Sequence, residues 1–137
     1  MDINQANDIL KDKGYKHTGK RELILELFNS TKNYLTAKDV FNYLVESYPG
    51  VSYDTVYRNL YILNDIGILE STELNGEKQF RFRCDTENHH HHFICSKCGT
   101  IKSIHTCPMN DITKELNGYQ IDNHKFEIYG RCPDCIN

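Results

Sequence analysis

An excess of positive charge is the first thing this 137-residue chain lacks: 16 Lys+Arg face 19 Asp+Glu, a formal net charge of -3. Dividing it yields no basic half, since residues 1–83 hold 11 cationic against 12 acidic side chains and residues 84–137 hold 5 against 7. Contact with nucleic acid must therefore rest on a local patch. No apolar run approaches the ~20 residues that cross a bilayer, and the start M-D-I-N-Q lacks the features of a signal peptide. The expectation is a cytoplasmic protein with no membrane partner, whose six cysteines are metal ligands rather than disulfides. Also missing is any histidine followed one or two residues later by glutamate. That removes the H-x-E and H-E-x-x-H signatures of zinc deaminases and zinc hydrolases. With no thioredoxin-like βαβ pattern either, the expectation is a protein that is not an enzyme and has no small-molecule substrate.

What is present is concentrated. The stretch Cys84–Cys98, C-D-T-E-N-H-H-H-H-F-I-C-S-K-C, ends in a Cys-x-x-Cys pair, and Cys132-x-x-Cys135 repeats that pair near the C-terminus. Two such knuckles supply four thiolates for a tetrahedral, closed, structural zinc site at Cys95, Cys98, Cys132 and Cys135. A closed site stabilises rather than catalyses. If the four histidines are extended, alternate residues face opposite ways: His90 with His92, and His89 with His91. Two further sites are then available, and the first could add Cys84. Mixed sulfur and nitrogen ligation suits zinc better than iron or manganese.

Upstream, helical periodicity runs over residues 3–13, over a second helix capped by Thr18, and over a third opened by Thr36-x-x-Asp39 and stopped at Pro49-Gly50. A fourth helix is capped by Ser52 and ends near Gly67. Val56, Leu60 and Leu63 share its apolar face; Asp54, Arg58, Tyr61 and Asp65 share the opposite one, with Tyr57 on the flank. Two strand-like runs, 68–74 and 79–83, then flank Asn75-Gly76, a hairpin signal. In the second run Phe80 and Phe82 are expected on one face and Arg81 and Arg83 on the other. Helices followed by such a ribbon read as a winged helix-turn-helix, with the fourth helix entering the major groove. The cluster Lys11, Lys13, Lys16, Lys20 and Arg21 reads either as the phosphate-facing patch or as a solvated helix face. Beyond the histidines, a short strand at 101–104, a helix from Pro108 to about Asn117 and a half-buried strand over Tyr119–Tyr129 make a small mixed piece. A piece that small needs a metal, a partner subunit, or both. The fold class is thus α+β: a winged-helix domain over 1–83, a ligand-bearing hinge over 84–92 and a dimerisation domain with structural zinc over 93–137.

With these parts placed, the chain resembles the Fur family of metal-dependent repressors, and looks most like its zinc-sensing branch. The resemblance rests on Y-D-T-V-Y-R-N-L at Tyr53–Leu60, H-H-H-H-F-I-C-S-K-C at His89–Cys98 and H-K-F-E-I-Y-G-R-C-P-D-C at His124–Cys135. It implies that Cys95, Cys98, Cys132 and Cys135 hold structural zinc, and that Cys84, His90 and His92 hold a regulatory zinc with Glu70 as the acidic fourth ligand. It implies DNA contacts at Tyr57 and Arg58, beside which stand Tyr61, Lys16, Lys20 and Arg21. A third site would use His89, His91, His124 and a downstream acid; Asn110 stands where that acid is expected, with Asp111 next. His105 and Cys107, nearby donors, read as surface or core residues rather than ligands. The implied function is a homodimeric, zinc-dependent repressor of zinc-uptake genes that binds a pseudo-palindromic double-stranded operator. The rival is an iron- or peroxide-sensing member of the same family.

Overall fold

The computed structural model describes residues 1–83 and 90–136 and divides into two compact units, Met1–Asp85 and Thr86–Asn137. In the first unit, helix α1 (Ile3–Asp12) starts at a capping box in which the Asp2 carboxylate accepts from Gln5 N and the Gln5 side chain accepts from Asp2 N. Helix α2 (Gly19–Ser30) is capped by Thr18, and α3 (Ala37–Ser47) by a second reciprocal box between Thr36 and Asp39. Helix α4 (Tyr53–Asp65) is capped by Ser52 and ends before Gly67, whose φ of 84° closes the turn. Each cap satisfies backbone donors that the helix itself cannot.

The apolar stripes of these helices converge. Ile24, Leu25 and Phe28 from α2, Val40 and Leu44 from α3, and Val56, Leu60 and Leu63 from α4 are all buried in one core. Full burial of such side chains is worth about 1.5–3 kcal/mol each. Strands β2 (Leu69–Leu74) and β3 (Glu77–Phe82) form the wing. Their two-residue turn uses Asn75 at φ 56° and Gly76 at φ 75°, the left-handed pair that matches strand twist. A two-residue strand, β1 (Leu35–Thr36), adds to β3 and makes a three-stranded sheet ordered β1-β3-β2. Periodicity gives no sign of β1, because two residues are too short to show a period.

One charged residue of the wing is buried. Arg81 is buried, with its Nε 2.7 Å from Glu70 Oε1 and its guanidinium over the Tyr34 ring. Glu70 and Arg81 are direct cross-strand partners, so the charge on one strand permits its opposite to be buried on the next.

The second unit is a three-stranded sheet ordered β5-β4-β6, built from β4 (His91–Cys95), β5 (Ile101–Ile104) and β6 (Glu127–Gly130). β4 pairs antiparallel with β5 and parallel with β6, the crossover carrying the short helix α5 (Met109–Glu115). The strand expected over Tyr119–Tyr129 is confined to its end, because only Glu127–Gly130 finds a partner in β4. A last turn, α6 (Pro133–Ile136), follows. Among the described residues of this unit only Ile94, Cys95 and Cys132 are buried apolar or sulfur side chains. So small a core leaves the unit dependent on other ties.

Candidate metal centres and nucleic-acid face

The four knuckle cysteines come together. Cys95 ends β4, Cys98 lies in the turn to β5, and Cys132 and Cys135 bracket the start of α6. Their Sγ atoms all lie within 4.8 Å of one another. The Cys98–Cys132 separation is 3.7 Å; sulfurs bound tetrahedrally to zinc at 2.3 Å stand about 3.8 Å apart. Four clustered sulfurs with this spacing suit a zinc ion.

The environment also prepares the sulfurs. Cys95 Sγ receives the backbone N–H groups of Cys98 at 3.5 Å and Cys132 at 3.4 Å. These donors draw its pKa down to about 6. The Thr100 hydroxyl, 3.0 Å from Cys98 Sγ, lowers that thiol too. Cys135 moves the other way, up to about 12, chiefly through its side-chain hydrogen bond with Cys132, then through burial. Four clustered thiols cannot all ionise without a cation among them.

The histidine run splits by alternation. The His90 and His92 rings meet edge-on at 4.8 Å, with His105 6.2 Å from His90. His91 packs elsewhere, edge-on against Phe126 at 5.4 Å and 5.2 Å from the His124 ring. Its Nε2 is 3.4 Å from Cys107 Sγ, which is 3.7 Å from His124 Nε2. Cys107, read from the sequence as a bystander, thus stands between two imidazoles. Asp111 is exposed in the first turn of α5 and outside that cluster. Cys84 and His89 lie outside the described residues. Glu70, in the wing, keeps Oε1 buried beside Arg81 Nε yet out of line with its N–H, so the oxygen has an ion-pair contact but no hydrogen bond.

On the first unit, the polar face of α4 is exposed. Tyr57 and Tyr61 are 42% and 45% accessible and stack at 6.1 Å. Tyr53 continues the row onto Phe41, and Lys78 from the wing lies 4.9 Å above the Tyr61 ring. Arg58 pairs with Asp54 at 2.7 Å, but both are well exposed, and such surface pairs are weak enough to exchange partners. The basic cluster divides in use. Arg21 donates from Nε to the Asn59 side-chain oxygen, bracing α2 against α4, and from Nη1 to the Lys16 carbonyl. Lys20 lies over the Tyr48 ring, and Lys16 is exposed. A shallow groove of about 420 Å³ between α2 and α4 is lined by Lys20, Arg21 and Arg58 among others. The groove gathers three cations on the side of the unit that also carries the exposed tyrosines of α4. No helix among the described residues is long and apolar enough to cross a membrane.

Known proteins are similar to this chain in sequence and in fold. The sequence profile of the ferric uptake regulator family matches residues 12–129. Over 135 residues the chain is 48% identical to a Staphylococcus aureus protein named ferric uptake regulation protein, covering 98% of each. The Vibrio cholerae ferric uptake regulator superposes with a TM-score of 0.69 at 29% identity, over 92% of this chain and 98% of that one. A zinc uptake regulator solved with zinc and DNA superposes at 0.70 over 97% and 91%; its 24% identity speaks for the fold alone.

Proposed function

The chain belongs to the ferric uptake regulator family of metal-responsive transcriptional regulators, and from that premise we propose that it is a homodimeric DNA-binding repressor with zinc as co-repressor. The observation that carries the choice of metal is the donor set at and just after the boundary of the two units in sequence: the Cys84 sulfur, with the paired imidazoles of His90 and, within β4, His92. Thiolate with imidazole suits zinc; ferrous iron prefers a site richer in oxygen. Glu70 is the fourth ligand of this reading, and the unmet lone pair on its Oε1 supports that role.

When bound there, the ion supplies a fixed link between the wing and the C-terminal unit. The other roles fall to side chains. Tyr57 and Tyr61 meet the major groove, while Arg58, Lys16, Lys20 and Arg21 meet phosphates at and beside it. Two copies join through their C-terminal units, where Ile128 and Tyr129 of the edge strand β6 are exposed. A pseudo-palindromic operator then requires the two α4 helices to stand one helical turn apart, ~34 Å. Because metal and operator favour the same arrangement, each tightens the other's binding by the same factor. The genes controlled are those of zinc uptake, and the protein acts in the cytoplasm.

A second reading, iron as co-repressor on the same scaffold, is favoured by the name of the 48% identical Staphylococcus aureus relative. Selecting duplexes from a random pool in the presence of Zn²⁺ or of anaerobic Fe²⁺, followed by elemental analysis of the retained complexes, separates the two. Selection with zinc alone supports the first reading; selection with iron alone overturns it.

A further inference from the structure

His91, Cys107 and His124 form a second preassembled donor cluster in the C-terminal unit, and we propose that it is a zinc site with a thiolate ligand, Cys107, in place of the expected carboxylate. The argument is geometric first. An ion bound tetrahedrally at 2.3 Å from sulfur and about 2.05 Å from nitrogen holds those atoms about 3.6 Å apart. Cys107 Sγ lies 3.4 Å from His91 Nε2 and 3.7 Å from His124 Nε2, which brackets that value. All three ligand atoms lie within 4.8 Å of one another.

The three come from separate segments that only the sheet brings together. His91 opens β4 and pairs in register with Ile104, the last residue of β5; Cys107 follows three residues later. His124 lies in the irregular stretch that leads to β6, whose first residue, Glu127, pairs with His92. His91 is buried and braced by the Phe126 ring, so its imidazole is held in place rather than free to search. On binding, Cys107 gives its proton to solvent and the two imidazoles bind neutral. A His₂Cys set takes a borderline ion such as Zn²⁺ and leaves one position for a further ligand.

The location gives the site a purpose. The four-cysteine centre ties one end of β4, at Cys95; this cluster ties the other, at His91. It also anchors the 119–126 segment, which carries no regular structure of its own. The inference rests on the four-cysteine centre being filled, but not on which metal the joining segment senses.

Cysteine arithmetic makes a clean test. Of six cysteines, four belong to the closed centre, leaving Cys84 and Cys107. Full-length protein carrying one tightly held zinc is titrated with Co²⁺ in a Cys84→Ser background, with near-ultraviolet thiolate-to-cobalt charge transfer as the readout. A saturable charge-transfer band at one Co²⁺ per chain is expected, absent in Cys84→Ser/Cys107→Ser while the tightly held zinc is retained. His124→Ala, which keeps the thiol, is expected to weaken Co²⁺ binding about tenfold or more, the loss of one of three ligands. No band in the Cys84→Ser protein overturns the proposal. So does a band that survives removal of Cys107, since it would report cobalt entering the four-cysteine centre. DNA binding is not read in this experiment, so its failure and that of the repressor reading are separate results.

Discussion

At the scale of single residues, opposed thiol acidities govern how the four-cysteine centre exchanges metal for protons. Cys95 sits at about 6, lowered by the Cys98 and Cys132 amides, and is largely thiolate at pH 7.5. Cys135, held at about 12 chiefly by the Cys132 thiol, keeps its proton there. Zinc entry at pH 7.5 must therefore expel the Cys135 proton, and below pH 6 that of Cys95 as well, so affinity falls as pH falls and falls faster through 6. Calorimetry of zinc uptake by the stripped protein in buffers of different ionisation enthalpy should show at least one proton released per zinc at pH 7.5 and more at pH 5.5. Release that does not depend on pH would contradict these assignments. Glu70 is a second residue-scale case, since its carboxylate is shared between Arg81 and its proposed ligand role. Glu70→Gln keeps a partner for Arg81 and so should leave the wing folded, while zinc affinity at the joining segment drops about tenfold or more. A competitive chelator titration that finds equal affinity removes Glu70 from the ligand set.

At the scale of elements, α4 presents one face to the core and another to solvent, and the second makes a quantitative forecast. Arg58→Ala removes one phosphate-seeking charge from an exposed position. It should weaken operator binding and reduce the salt slope by about 1, the signature of one lost phosphate contact. Tyr57→Ala should weaken binding with the salt slope nearly unchanged; slopes that change equally in both variants would contradict these separate roles. Elements of this kind were legible in the sequence because their causes are local. Thr18, Thr36 with Asp39, and Ser52 each start the helix that they cap, and Asn75-Gly76 turns the wing. The four-cysteine centre was legible because Cys-x-x-Cys spacing builds half of it within one turn. What was hidden depends on partners distant in the chain. β1 exists because β3 offers it an edge, and residues 119–126 lack the partner that would have made them a strand. The burial of Arg81 was hidden because its ion-pair partner, Glu70, is on another strand. Cys107 has no knuckle neighbour; its signal was a soft donor just past β5, whose last residue pairs with His91.

For the whole molecule, a chain of formal charge -3 must reach DNA through one cationic face, and its second unit must hold together with very little core. The second constraint points to metal. Cys98→Ser should cost the C-terminal unit its fold and the protein its dimeric state, seen as loss of tightly held zinc and a halved mass by light scattering. The first unit, with its own core of helices and wing, should keep its helical circular dichroism. A zinc-free dimer of this variant would show that the sheet needs no clamp.

Operator binding in metal-buffered solution reports whether Cys84 is the ligand through which the protein senses zinc. Anisotropy of a selected duplex, titrated with the full-length protein at rising free Zn²⁺, should show zinc-dependent binding for the native chain. The Cys84→Ser chain, still dimeric and still holding its structural zinc, should show none. Unchanged zinc dependence in Cys84→Ser, or activation of the native chain by anaerobic Fe²⁺ but not by Zn²⁺, would contradict the account.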